Sequence, residues 1–136
     1  MYSVTKRIPF CYGHRLLQYE GKCRHLHGHN GIIEVDVAAE QLNHIGFVRD
    51  FSEIKQIIKS WIDDNLDHRM LLCKDDPVVP FLREQKEEIY LMDHNPTAEA
   101  IARLIFEYAA SQGIPVVEVR LWETPDSFAS YTNASH

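Results

Sequence analysis

Apolar side chains in the first ten residues fall on one parity: Val4, Ile8 and Phe10, with Thr5, Arg7 and Pro9 between them. That alternation predicts a strand over Tyr2 to Phe10. After a loop around Gly21 it returns as Ile33, Val35 and Val37 against Glu34 and Asp36, a strand with one buried and one solvated face. Gly46 to Asp50 reads as a short strand entering a helix. From there the period changes. Phe51, Ile54, Ile57, Ile58, Trp61 and Ile62 recur at helical spacing, with Asp50 as N-cap and Glu53 completing a capping-box pattern, and the helix should end near Leu66. A second helix is predicted from Asn95-Pro96, asparagine as cap and proline at the first helical position. Ile101, Leu104, Ile105 and Tyr108 form its stripe and Gly113 its stop. Val117, Val119 and Leu121 alternate with Glu118 and Arg120 as another strand, and Phe128 to Thr132 as a last one after a turn at Pro125-Asp126. Between Cys73 and Asp93 the pattern is polar, with a short helix expected near Val79 to Lys86.

Strands, two helices and then strands, joined in part by direct hairpins, predict an α+β domain: an antiparallel sheet with two helices packed on one face. The 136 residues are the length of one domain, 45% are hydrophobic and 25% charged, and no repeat or linker breaks the chain, so a single domain over 1–136 is expected. No apolar run reaches membrane-spanning length, and Met1 to Arg7 lacks the apolar segment of an export signal; the expected location is cytoplasmic. Fourteen Lys and Arg against 20 Asp and Glu give a net charge of −6, which disfavours nucleic acid as partner but leaves room for a small phosphorylated substrate. Three widely spaced cysteines (Cys11, Cys23, Cys73) do not make a disulfide framework.

The chemistry concentrates in Cys23-Arg24-His25-Leu26-His27-Gly28-His29. In an extended segment His27 and His29 point to one side, as two ligands of a tetrahedral zinc would, and they share parity with the apolar Ile33, Val35 and Val37. His14, just past the first strand, is the candidate third ligand. Gly28 lets a neighbouring segment approach the backbone. Cys23 has two readings: a fourth metal ligand, which would close the site, or a thiolate made acidic by a nearby metal and Arg24. Cys11 and Cys73 read as small buried or half-buried hydrophobes. Asp67-His68 is either an oriented proton-transfer pair or a solvated helix end; taken alone, the helix end is the better account. Glu123 ends the apolar face of its strand, where it either receives adjacent N–H donors from a ligand or simply emerges into water.

Phe10-Cys11-Tyr12-Gly13-His14-Arg15-Leu16, the Cys23 to His29 block, Gly46 to Phe51, Leu66-Asp67-His68, Asn95-Pro96-Thr97-Ala98-Glu99 and Glu123-Thr124, in this order, resemble the 6-pyruvoyltetrahydropterin and 6-carboxytetrahydropterin synthase family. The resemblance implies the tunnelling fold (T-fold) and a homohexamer, a dimer of trimers with active sites between subunits. It implies zinc on His14, His27 and His29, a catalytic set of Cys23, Asp67 and His68, and Glu123 as anchor of a pterin ring. The implied substrate is 7,8-dihydroneopterin triphosphate.

Three residues separate Cys23 from His27, a spacing like that of the 6-carboxytetrahydropterin branch, which serves queuosine and other deazapurine synthesis. That branch forms 6-carboxytetrahydropterin with release of triphosphate and acetaldehyde. The alternatives are triphosphate elimination of the 6-pyruvoyl type, or a non-catalytic zinc- or pterin-binding protein on the same fold. Two features depart from the family: Tyr12 stands where a small residue is usual, and the Cys73 to Asp93 stretch is long.

Overall fold

A computed structural model of the chain describes residues 1–133. Six strands form one sheet: β1 (Tyr2–His14), β2 (His27–Ala39), β3 (Arg69–Cys73), β4 (Ile89–Met92), β5 (Val116–Thr124) and β6 (Ser127–Thr132). Their order is β4-β3-β1-β2-β5-β6. The central and C-terminal pairings, β1 with β2, β2 with β5 and β5 with β6, are antiparallel as expected. At the other end the sheet is mixed, since β3 runs parallel to β1 and β4 parallel to β3.

Neither β3 nor β4 shows in the polarity pattern. Met70-Leu71-Leu72-Cys73 is an unbroken apolar run, with Leu71, Leu72 and Cys73 all buried. A parallel strand covered on both faces loses the alternation that marks a half-solvated one. The long polar stretch after Cys73 holds the short helix α2 (Val79–Glu84) and then β4.

Helices α1 (Phe51–Asn65) and α3 (Ala98–Ser111) cover one sheet face. Ile54, Ile58 and Ile62 of α1 and Ile101, Ala102, Ile105, Phe106 and Ala109 of α3 meet Ile8, Phe10, Ile33, Val35, Val37, Val119 and Leu121 in one core. Each large side chain so buried contributes about 1.5–3 kcal/mol. No helix among the described residues is long and apolar enough to cross a membrane.

Three local expectations are corrected. Gly46 to Asp50 is not a strand: Asn43 Oδ1 accepts the N–H groups of Ile45 and Phe47, both at 3.0 Å, and Gly46 takes a φ of +91° to close the turn. At α1, Asp50 caps through the N–H of Ser52 (2.8 Å), but Glu53 does not reach back to complete a box, because Arg49 holds it at 3.0 Å. At α3 the cap is Thr97, whose hydroxyl accepts from the Ala100 N–H at 3.1 Å. Asn95 is drawn elsewhere: its amide spans the Leu17 backbone, accepting from Leu17 N–H (2.8 Å) and donating to Leu17 C=O (2.9 Å).

Candidate metal centre

β1 and β2 pair in unbroken register from Tyr2↔Ala39 to His14↔His27, which also sets Tyr12 opposite His29. His14 shares parity with Ile8 and Phe10, and His27 and His29 share parity with Ile33 and Val35. The core face of the sheet therefore ends in three histidine rings. Gly28 between two of them admits the neighbouring strand: a Cβ there would lie 3.1 Å from the Tyr12 carbonyl oxygen.

The ring centroids of His14 and His27 are 4.5 Å apart, and each is 5.1 Å from that of His29. One nitrogen from each ring falls within 4.8 Å of the others, and His14 and His29 approach to 3.1 Å between Nε2 atoms. Backbone carbonyls fix the opposite nitrogens. Pro96 C=O lies 2.6 Å from His14 Nδ1, and His25 C=O lies 2.7 Å from His27 Nδ1. A carbonyl can only accept, so in the neutral rings Nδ1 carries the proton and Nε2 offers its lone pair. His27 Nε2 is buried with no hydrogen-bond partner. His14 is 2% exposed; burial lowers its pKa against the upward pull of the Pro96 carbonyl and Glu123, with His27 and His29 adding to the lowering. A partly dehydrated donor set with two Nδ1 atoms tied to carbonyls and an orphaned nitrogen fits a divalent transition metal such as zinc.

Glu123, from β5, borders this cluster. Its Oε1 accepts the Tyr12 hydroxyl at 2.9 Å and lies 3.7 Å from His14 Nε2, while Oε2 lies 3.9 Å from His29 Nε2. Burial first, and then the Glu123 carboxylate, push the Tyr12 phenol far above its ordinary range, so it stays a donor.

The remaining candidates are placed apart. Cys23 is half-buried in a single 3-10 turn, Lys22–Arg24, whose Cys23 carbonyl accepts the Leu16 N–H at 2.9 Å. Its thiol is not in the group of converging ligand atoms, which consists of the three histidines among the described residues. Asp67 and His68 bond to each other at 2.9 Å. Asp67 Oδ1 accepts the Cys11 N–H at 2.9 Å, and His68, at a φ of +58°, donates its own N–H to the Cys11 carbonyl at 2.7 Å. Burial works against the charged Asp67, but these hydrogen bonds outweigh it and hold the carboxyl below its ordinary range. The His68 ring is 77% exposed and borders an open groove whose lining also includes Cys11, Tyr12, His27, Gly28, His29 and Asn30.

Two supports have no mark in the sequence pattern. Asp76, with a fully buried side chain, takes Arg15 through both carboxylate oxygens, Nε to Oδ2 at 2.7 Å and Nη2 to Oδ1, and also caps Val78 N–H at 2.9 Å. Together with Asn95 on Leu17, it ties the chain just after His14 to the loops before α2 and α3. Nothing in Lys74-Asp75-Asp76 distinguishes a buried aspartate from its solvated neighbour, and Asn95 carries the plainer signal of a helix cap.

Solved structures share this architecture. An uncharacterized protein from Wolinella succinogenes superposes with a TM-score of 0.80 at 28% identity, over 97% of this chain and 98% of that one. A 6-pyruvoyl tetrahydropterin synthase from Caenorhabditis elegans gives 0.72 at 24% identity, over 98% and 96%. The fold is the α+β tunnelling fold. The family model described as 6-pyruvoyl tetrahydropterin synthase matches residues 3–134. A 6-carboxy-5,6,7,8-tetrahydropterin synthase from Rickettsia conorii is 38% identical over 135 residues, covering 94% of this chain and 98% of the relative. One from Haemophilus influenzae is 30% identical over 139 residues, covering 96% and 99%. The chain belongs to the 6-pyruvoyl tetrahydropterin synthase family, on the side of its 6-carboxytetrahydropterin synthases.

Proposed function

We propose that the protein is a zinc-dependent lyase that converts 7,8-dihydroneopterin triphosphate and one water to 6-carboxy-5,6,7,8-tetrahydropterin, triphosphate and acetaldehyde, within queuosine or related deazapurine synthesis. The observation that carries the reading is the histidine cluster. His14, His27 and His29 converge at the end where β1 passes into β2, with two Nδ1 atoms tied to carbonyls and His27 Nε2 left without a partner. Three protein ligands are the number a catalytic zinc takes, with one position left for substrate.

These histidines would hold zinc, which when bound supplies Lewis acidity to the oxygens of the pterin side chain. Glu123 receives the N–H donors of the pyrimidine edge and so orients the side chain toward the cluster. Cys23 as thiolate takes a proton from the side-chain carbon, and the Asp67–His68 pair exchanges a proton on the opposite side. The pterin ring and its side chain trade oxidation levels internally, so no external redox cofactor is required. Asp67–His68 is tied to the Cys11 backbone and stands outside the converging histidine nitrogens; in this reading a second copy completes the active site, in a homohexamer of two trimers working in the cytoplasm.

The test is turnover of 7,8-dihydroneopterin triphosphate by zinc-loaded protein, with products identified by mass spectrometry. Carboxytetrahydropterin plus acetaldehyde is the expected result. A pyruvoyl product would replace the proposed reaction with triphosphate elimination of the 6-pyruvoyl type. Bound zinc and bound pterin without turnover would make the protein a binder.

A further inference from the structure

The structure builds a seat for Tyr12, at a position where the sequence resemblance leads one to expect a small side chain. Its ring stacks on Phe10 with centroids 5.1 Å apart, meets His14 edge-on at 5.2 Å and lies 5.6 Å from His29. Space comes from β2: a Cβ on Gly31 would stand 3.0 Å from Tyr12 Cε1 and 3.3 Å from Leu121 Cδ1. A buried phenol needs a partner for its hydroxyl, and this one donates to Glu123 Oε1 at 2.9 Å. Both carboxylate oxygens also lie within 4 Å of a ligand-histidine Nε2, at 3.7 and 3.9 Å. An unrestrained carboxylate there has competing places to go, toward the histidine cluster or toward a molecule entering beside it.

We infer that Tyr12 is a positioning residue for Glu123: its hydroxyl fixes the carboxylate through Oε1, so that the group is presented to the N–H edge of a pterin. A phenol on a packed ring is a stiffer restraint than water, and it occupies one lone pair of one oxygen while leaving Oε2 available. The inference rests on the pterin role proposed above for Glu123, and the experiment separates the two.

Neopterin, the oxidised and unphosphorylated analogue, serves as an unreactive fluorescent probe. It is titrated into zinc-loaded wild type, Tyr12→Phe, Glu123→Gln and the double variant, with zinc content measured in each. Phenylalanine keeps the ring and its packing, so the fold and zinc content should match wild type. Tyr12→Phe should weaken neopterin roughly tenfold, the scale of a hydrogen bond to a charged group. Glu123→Gln should weaken it at least as much, and the double variant no further. With substrate, Tyr12→Phe should raise KM more than it lowers kcat. Wild-type affinity in Tyr12→Phe, with Glu123→Gln impaired, removes the role of Tyr12 and leaves that of Glu123. Wild-type affinity in Glu123→Gln overturns the pterin role and this inference with it. A Tyr12→Phe loss that persists in full in the Glu123→Gln background shows that Tyr12 acts on some other group, and overturns the inference alone.

Discussion

His27 shows most directly how a single side chain is left open to a ligand. Its Nδ1 is bound to the carbonyl of His25 two residues back, and its Nε2 is buried with nothing to accept from or donate to. An orphaned polar atom in a buried position costs about 1–3 kcal/mol unless something fills the place. Removing His27 should therefore empty the site: His27→Ala should lose most of its bound zinc, measured by elemental analysis after dialysis. Cys23 should behave differently, because its thiol lies outside the converging donor atoms. Cys23→Ala should keep about one zinc per chain and lose turnover by at least roughly a hundredfold, the low end for a proton-transfer group. Zinc lost together with the thiol would instead make Cys23 a ligand.

At the scale of elements, register does most of the placement. The polarity pattern alone puts His27 and His29 on the core face, since they share parity with Ile33, Val35 and Val37, and β2 does run without a break from His27 to Ala39. His14 is legible in the sequence only as a residue beyond the first strand; that β1 extends to include it depends on cross-strand pairing, which a polarity pattern does not carry. The same limit hides β3, whose apolar run has no period, and the clamp of Asn95 on Leu17, a contact across 78 residues. On the opposite sheet face, β2 and β5 are joined by Arg120, which binds Glu34 (2.9 Å), Asp36 (2.7 and 2.8 Å) and Glu118 (2.7 Å). Burial raises the pKa of Glu34 and Asp36, but hydrogen bonds from Arg120, joined by Trp122 on Glu34 and Thr5 on Asp36, outweigh it and leave both below the ordinary carboxylate range. Depressed folded values mean that this stabilisation is complete above the unfolded carboxylate range, about pH 4 to 4.5, and is lost as pH falls through the lower folded values. Arg120→Leu should cost about 2 kcal/mol at neutral pH, where it strands three carboxylates. Urea titrations across pH should show its stability gap from wild type closing as the solution is acidified below that range; a gap independent of pH would mean that Arg120 acts through packing.

At the scale of the whole molecule, the proposed chemistry needs an Asp67–His68 pair that one chain holds outside its converging histidine nitrogens. The candidate ligand histidines end the core face, whereas the exposed His68 ring is held by Asp67 and its N–H by the Cys11 carbonyl. A left-handed φ of +58° and two hydrogen bonds fix His68 and Asp67 in that orientation, so swinging the pair to the histidine cluster of its own chain would mean breaking them. A second copy can bring the same pair to the site without disturbing either chain. In the proposed closed ring each boundary would draw Cys23 from one subunit and Asp67–His68 from its neighbour. Cys23→Ala and His68→Ala should each be nearly inactive as pure oligomers. Co-assembled in equal amounts, they should recover about a quarter of wild-type activity, because one boundary in four pairs an intact Cys23 with an intact His68. The assay is turnover of co-expressed, differently tagged variants purified through both tags, with the subunit ratio checked by mass spectrometry. Heteromers that form and stay inactive would place Cys23 and His68 in the same chain's site, and the His68 loop would then have to move during catalysis.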